Sequence, residues 1–216
     1  MIRLIILLTA VLATNSAMAK EINGCAIRSG TLCAGMNLQG ANLKEADLAR
    51  ASFLRSDLSG ANLQGANLLN ANMHLANLNG ANLKGAILDA ADLKNTTMVD
   101  AKLNQAHLHD ARLKSADLTR ANLTGAQLQG ADLSGANLTS ARFRDAQLQR
   151  ADLSGTVMTK ADFRGANMKG VKLDNATLDG ADLRGAVLDE IDFYKVSTVG
   201  CLGCPALNRP KQDVVQ

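Results

Sequence analysis

Apolar and polar positions recur with a period of five along most of the chain. From Met36 to Lys195 the sequence divides into 32 pentapeptides without an insertion, beginning with Met36-Asn37-Leu38-Gln39-Gly40. The third position of the repeat is Leu in 24 cases, Phe in four and Met in four, and the first position is Ala in 26. The second position is Asn or Asp in 19 repeats, and the fifth is Gly in 13. A short repeat of fixed length indicates a solenoid.

The period of five excludes a continuous helix or strand. A buried helix face needs apolar spacings of three and four residues, and on a flat strand an odd period would turn successive third positions to opposite faces. The pattern predicts a short extended piece followed by a corner, with the first and third side chains inward and the others mostly exposed. Four such sides close a coil, so residues 36–195 are expected to form eight coils about 4.8 Å apart.

These repeats resemble the A(D/N)LXX motif of the pentapeptide-repeat family over residues 36–195. The resemblance implies an all-β solenoid, a right-handed quadrilateral β-helix, and the handedness rests on the resemblance alone. It also implies a non-catalytic structural or interaction protein. The best-known members of the family mimic DNA in shape and charge and inhibit DNA gyrase.

The segments outside the repeats are predicted to be a signal and two caps. Residues 1–19 combine a basic start, the apolar run Leu4 to Ala13 and the small residues Ala17-Met18-Ala19, which is the layout of a secretory signal peptide. Residues 20–35 and 196–216 are expected to cap the ends. The mature chain is therefore expected to be exported, to a bacterial periplasm, to the medium or, in a cyanobacterium, to the thylakoid lumen, without a transmembrane segment.

All four cysteines lie outside the 32 repeats, at positions 25, 33, 201 and 204. In an exported chain an even number of cysteines suggests disulfides. The ends of the rod are too far apart for one bond to join them, so the expected pairs are Cys25–Cys33 and Cys201–Cys204. A redox CxxC at Cys201-Leu202-Gly203-Cys204 is an alternative, as is an intermolecular bridge that joins two rods through this end.

Charge weighs against a DNA mimic. The 32 repeats contain 18 acidic and 18 basic residues, whereas B-DNA carries one negative charge per about 1.7 Å. The repeats also lack an insertion that would build a pocket, and no nucleophile–base pair or phosphate loop is evident. The sequence therefore predicts no enzyme and no cofactor. It favours an exported scaffold with an unknown protein partner, or a homodimer through a rod end.

Three groups of residues are candidates for contacts on the outside of the rod. A face for an anionic partner is predicted from Lys44, Lys84, Arg142, Arg144, Arg164 and Arg184, and its alternative is a salt-bridged surface neutralised by Asp145, Asp162 and Asp182. No metal site is predicted, and His107, His109 and Asp89 are only weak candidates for one, because two imidazoles and a carboxylate suit zinc or copper. A protein contact is predicted from Leu54, Leu69 and Leu75.

Overall fold

The computed structural model describes residues 21–205, and over this range the chain is a right-handed quadrilateral β-helix. The predicted signal peptide at residues 1–19 and the tail from residue 206 lie outside the described residues. Parallel bridges join residues 20 apart at the second position of the repeat, from Leu32–Ser52 to Asp182–Leu202. Residues 21–205 contain no helix of the length and hydrophobicity that a membrane span requires.

The core is a column of third-position side chains surrounded by small first-position side chains. Every third position from Leu38 to Phe193 is buried except Leu188, and the first position is buried at all but Met36, Ala46, Ala186 and Ile191. The exceptions lie in the first or last coils, where no further coil covers them. The prediction of inward first and third positions is thus confirmed in the body of the rod.

The second and fourth positions are mostly half-buried, so the expectation that they are mostly exposed is wrong. Each of these side chains has a neighbour on the coil below and another on the coil above, about 4.8 Å away. Only the fifth position, at the corner, is mostly exposed, in 28 of the 32 repeats.

Every corner has the same backbone conformation. The fifth residue has a positive φ in all 32 repeats, and 19 of these residues are not glycine. The turn is closed by a hydrogen bond such as Ala41 N–H to Leu38 O, at 3.0 Å, as in a type II turn. Glycine adopts this conformation without steric cost, which explains its frequency at the corner.

The frequent Asn and Asp at the second position complete the backbone hydrogen bonding. Around Leu58, the amides of the first, second, third and fifth residues of the repeat all find carbonyl acceptors in the turn or on a neighbouring coil. The fourth amide has no carbonyl acceptor of this kind, and it donates instead to the second side chain, as Gln39 N–H does to Asn37 Oδ1 at 3.1 Å. All 19 Asn and Asp residues at this position make this contact, the last at Asp192. The preference for Asn and Asp at the second position is thus explained by the fourth backbone amide, which needs an acceptor.

Phe143 and Phe163 stack one coil apart inside the core. Their ring centroids are 4.8 Å apart and the rings are inclined by 9°, and both side chains are fully buried. Aromatic pairs at this separation contribute beyond the area that they bury. The arrangement confirms the expectation that these two residues are inward neighbours.

A β-hairpin precedes the ladder at the N-terminal end of the described residues. Strand β1 (Glu21–Ile22) pairs antiparallel with strand β2 (Cys25–Ala26). Asn23 and Gly24 connect them with φ of 50° and 81°, the conformation that makes Asn-Gly a preferred two-residue hairpin turn.

The ladder continues beyond both boundaries expected from the sequence. Leu32 pairs with Ser52 at the start, and Ser197 and Leu202 pair with Thr177 and Asp182 at the end. Three further corners follow the pattern, at Gly30, Gly35 and Gly200. The apolar pattern ends earlier than the backbone pattern because the terminal coils are covered by caps and not by another coil.

Candidate functional site

The outward positions form four faces, each a pair of columns along the rod. Face 1 contains Ser52, face 2 contains Asp57, face 3 contains Asn62 and face 4 contains Asn67. Each face also includes the residues stacked on its member at intervals of 20 and the fourth-position residues two places later in the same repeats. The four faces follow one another around the rod, so faces 1 and 3 are opposite.

The charges are distributed unevenly among these faces. Over residues 32–204, face 1 has four cations and five carboxylates. Face 2 has three carboxylates and no cation, and face 4 has three carboxylates and one cation. Face 3 has two carboxylates and seven cations, which are Lys44, Lys84, Lys102, Arg142, Arg144, Arg164 and Arg184. A chain with balanced repeats therefore has one basic side.

Arginines and aspartates alternate along the C-terminal half of face 3. Arg164 binds Asp162 with two hydrogen bonds, at 2.8 and 2.6 Å, and Arg184 binds Asp182 at 2.9 and 2.6 Å. Arg144 Nε lies 3.1 Å from Asp162 Oδ2, and Arg164 Nε lies 3.4 Å from Asp182 Oδ2. We call these five residues the arginine ladder.

The arginine ladder holds its two aspartate carboxyls in the charged state. The hydrogen bond from Arg184 lowers the pKa of Asp182 to about 2, and that from Arg164 lowers the pKa of Asp162. The two carboxylates therefore fix the positions of three guanidinium groups. Asp145, also expected as a partner, lies instead at the exposed corner beyond Arg144.

Two of the weak metal candidates, Asp89 and His109, have a structural role. Asp89 Oδ1 accepts the backbone N–H of His109 at 2.9 Å and lies 3.1 Å from His109 Nδ1. His107 occupies the second position of that repeat and is not an Asx residue, so a carboxylate from the preceding coil satisfies the fourth amide. The rings of His107 and His109 meet edge to face, with centroids 6.2 Å apart.

Among the described residues no cluster of three or more His, Cys, Asp or Glu side chains is arranged to hold a metal ion. The contacts of His109 and Asp89 thus have a structural explanation, and binding of a metal by His107, His109 and Asp89 stays untested. The fourth position of Asp89 in its repeat is the signal that indicates an acceptor for a backbone amide and not a metal ligand. Asn79 and Asp179, also at fourth positions, accept the amides of Val99 and Val199 in the same way as Asp89.

The three candidate leucines do not form one patch. Leu54 lies on face 1 and Leu75 lies at the corner after face 1, whereas Leu69 lies on face 4. Leu69 has a partly exposed apolar neighbour, Ile87, on the next coil of face 4. The expected contact surface of Leu54, Leu69 and Leu75 is therefore divided between two sides of the rod.

The cysteines form two disulfides, Cys25–Cys33 and Cys201–Cys204, with sequence separations of 8 and 3. They are the two pairs expected from the sequence. Cys25 and Cys33 are fully buried, and Cys201 and Cys204 pack against the same core from the other end. The redox alternative needs a CxxC at the start of a helix, and this CxxC lies in the last turn of the ladder.

Sequence reasoning did not identify an open notch of about 570 Å³ at the corner after face 4. It is lined by His109, Asp110, Gln129, Gly130, Gln149, Arg150, Lys169 and Glu190. Gly130 and Gly170 lack side chains at this corner, which opens the notch between the charged corner residues. Gln129 Oε1 and Gln149 Oε1 are buried there without a hydrogen-bond partner in the structure.

The family model for pentapeptide repeats matches the chain over residues 29–65, 56–95, 96–135, 136–175 and 161–197. No curated protein sequence matches at a significant level. The matched residues include almost the whole ladder of parallel β-bridges.

Solved structures with the same fold include QnrB1, described as a plasmid-mediated fluoroquinolone resistance protein. A trypsin-treated form of QnrB1 is 20% identical, has a TM-score of 0.64, and the match covers 79% of this chain and 89% of QnrB1. HetL from the cyanobacterium Nostoc sp. strain PCC 7120, described as involved in heterocyst differentiation regulation, is 32% identical. Its match covers 79% of this chain and 88% of HetL, with a TM-score of 0.36.

Proposed function

Because this chain belongs to the pentapeptide-repeat family, we propose that it is an exported scaffold without catalytic activity that binds a protein partner along the side of its rod. Proteins of this family are generally structural or interaction proteins. The observation that carries the proposal is the parallel ladder, which is unbroken from Leu32 to Val187 and makes each side a rigid surface. Rigid surfaces bind without the entropic cost of ordering a loop.

Two features support export. Residues 1–19 have the composition of a secretory signal, and both cysteine pairs form disulfides at the ends of the rod. Disulfides persist in oxidising compartments and are rare in the cytosol. The periplasm, the medium and the thylakoid lumen all supply such conditions.

Inhibition of gyrase by DNA mimicry is the alternative function within the family, and the charge distribution opposes it. A rod of roughly 38 Å would need about 22 negative charges to match B-DNA, yet residues 36–195 have 18 of each sign. The most charged side of the rod is basic. A protein of this composition attracts anions rather than the DNA-binding groove of an enzyme.

A homodimer through a rod end is the alternative to a partner bound along the side of the rod. The last coil exposes Tyr194, which is 73% accessible, together with Val199 and Leu202. A dimer would be detected as twice the monomer mass by light scattering. An intermolecular Cys201 or Cys204 bridge would make that mass sensitive to reduction.

Cell fractionation of a C-terminally tagged chain tests export, and cross-linking in the same cells tests partner binding. We expect the tag in the exported fraction, a chain shortened by about 2 kDa, two intramolecular disulfides, and a discrete cross-linked protein. Retention in the cytosol with four free thiols would overturn export. Absence of any cross-linked protein at every face would overturn the scaffold function.

A further inference from the structure

The basic side of the rod has a charge spacing that discriminates between classes of anionic partner. Face 3 has seven cations and two carboxylates, a net charge of +5 over seven coil steps, or roughly 34 Å. This is about one net charge per 7 Å. Duplex DNA carries one charge per about 1.7 Å, so most of its phosphates would find no matching cation.

The carboxylates of the arginine ladder also oppose the binding of a continuous polyanion. Asp162 and Asp182 lie between the arginines, at 2.6 Å from Arg164 and Arg184. A continuous polyanion placed on this face would bring its charges against both aspartates, and like charges in contact oppose binding. Separate carboxylates with neutral groups between them can approach the guanidiniums and avoid the aspartates.

The arginines are also held in place before any partner arrives. Each of Arg164 and Arg184 is bound through Nε and one terminal nitrogen to an aspartate of its own repeat. Guanidinium groups have five N–H donors, so donors remain for a second carboxylate. Groups that are ordered in advance lose less entropy on binding.

We infer that face 3 is the docking surface for the acidic surface of a protein, one that presents on average about one carboxylate per 7 Å along the rod. This inference rests on the proposed scaffold function and names the side of the rod that performs it. The face is about 10 Å wide and roughly 34 Å long, an area of about 340 Å². Each partner of a standard interface buries about 800 Å², so face 3 supplies less than half of that area. The contact is therefore transient, and electrostatic attraction determines its rate of formation.

The probe for this inference is a synthetic peptide of alternating Glu and Ser, because alternate residues of an extended chain lie about 7 Å apart. Its control is the same peptide with Gln in place of Glu. Heparin and duplex DNA are compared at equal total charge. Binding of the full mature chain is measured by fluorescence anisotropy at about 50 and 500 mM NaCl, which spans strong and weak screening.

Two matched triple variants test the surface. One carries Arg144→Gln, Arg164→Gln and Arg184→Gln on face 3. The other carries Arg50→Gln, Arg55→Gln and Lys114→Gln on face 1 and its corners, which removes the same charge from the opposite side. We expect the first to lose about tenfold or more in affinity for the Glu-Ser peptide at low salt and the second to lose less than about twofold. Circular dichroism checks that both remain folded.

Equal losses in the two variants would show that only net charge matters and would overturn the inference. Binding of heparin or duplex DNA about tenfold tighter than the Glu-Ser peptide would also overturn it, in favour of a polyanion.

A cross-linking arm separates failure of this inference from failure of the scaffold function. A photoreactive residue replaces Thr124 on face 3 or, as a control, Thr139 on face 2. The two threonines have the same environment, since each hydroxyl donates to the Asn two residues earlier, at 2.8 and 2.7 Å. Salt-sensitive capture of an acidic protein from Thr124 alone supports the inference. Capture from Thr139 alone would overturn it and leave the scaffold function intact, and capture from no face would overturn both.

Discussion

The middle of the rod and its last coil differ in how much the repeat alone supports them. Around Phe143 and Phe163 every first and third position is buried, and the ladder is continuous. In the last coil Leu188 and Ile191 are half-buried, and the ladder bridge expected between Lys172 and Asp192 is absent. The same repeat pattern therefore gives a closed core only where a coil lies on both sides.

The last coil replaces the missing neighbour with other chemistry. Gly203 occupies a third position, where the body has Leu, Phe or Met, and its backbone lies against Leu183 and Arg184 of the preceding coil. The Cys201–Cys204 disulfide fixes the chain on both sides of Gly203. The comparison shows that a solenoid end is stabilised by close backbone contact and a covalent bond, where the body uses side-chain packing.

The largest expected effect is the loss of an aromatic ring from the middle of the core. Phe163→Ala should cost about 3–5 kcal/mol of unfolding free energy, because the surrounding coils cannot collapse into the cavity. Phe193→Ala should cost less than half of this, because Phe193 already lies in the loosely covered last coil. Urea unfolding measures both, with Lys84→Ala as a surface control. Similar losses at Phe163 and Phe193 would contradict the difference between body and end.

Removal of a disulfide should destabilise the end that it closes. By chain entropy, the short loops closed by Cys25–Cys33 and Cys201–Cys204 correspond to about 2.5 and about 1.8 kcal/mol. The loss should remain local, because solenoid stability is largely a sum of neighbour terms. Hydrogen exchange of Cys33→Ser should therefore increase in residues 21–55, while residues 100–160 stay protected. Loss of protection throughout the rod would show that the first coil is required for the rest.

Gly203→Ala tests the backbone contact at the last coil. A Cβ at this position would lie 2.7 Å from Arg184 N, and the residue has φ of 78°, so we expect a loss of about 1–3 kcal/mol. Gly180→Ala is the matched control, since its φ is 68° but the nearest contact is the flexible Lys160 side chain at 3.5 Å. Thermal unfolding measures both. A control loss as large as that of Gly203→Ala would mean that positive φ, and not the close contact, determines the cost.

The smallest expected effect is the pH dependence of the arginine ladder. The pKa of Asp182 is lowered from 3.8 to about 2 by Arg184, so this pair stabilises the fold above pH 3.8 and loses its effect as the pH falls to about 2. Arg184→Gln should lower the midpoint of thermal unfolding slightly at pH 6, and the difference should disappear near pH 2. A difference that is constant with pH would mean that Arg184 acts through packing of its side chain.

The candidate surfaces were less predictable than the core, and particular residues explain why. The stacked pair Phe143–Phe163 follows from position in the repeat, and so does the identity of the basic column. The pairing of Arg164 with Asp162 depends on side-chain conformation, and the role of Asp89 depends on an unpaired amide at His109 one coil later. The Asn-Gly turn at residues 23 and 24 was a readable signal for the hairpin, but it lies outside the repeats.

The spacing of five, with Ala and Leu at two of its positions, by itself determined the inward and outward residues and the number of coils, because only a corner after each short extended piece keeps both apolar positions on one side. The tertiary structure alone decided how far the ladder runs beyond residues 36–195, how the terminal coils are covered, and how charge is shared on face 3. Those features depend on contacts between residues 20 or more apart and on chain ends that have one neighbour instead of two, which a local repeat does not encode.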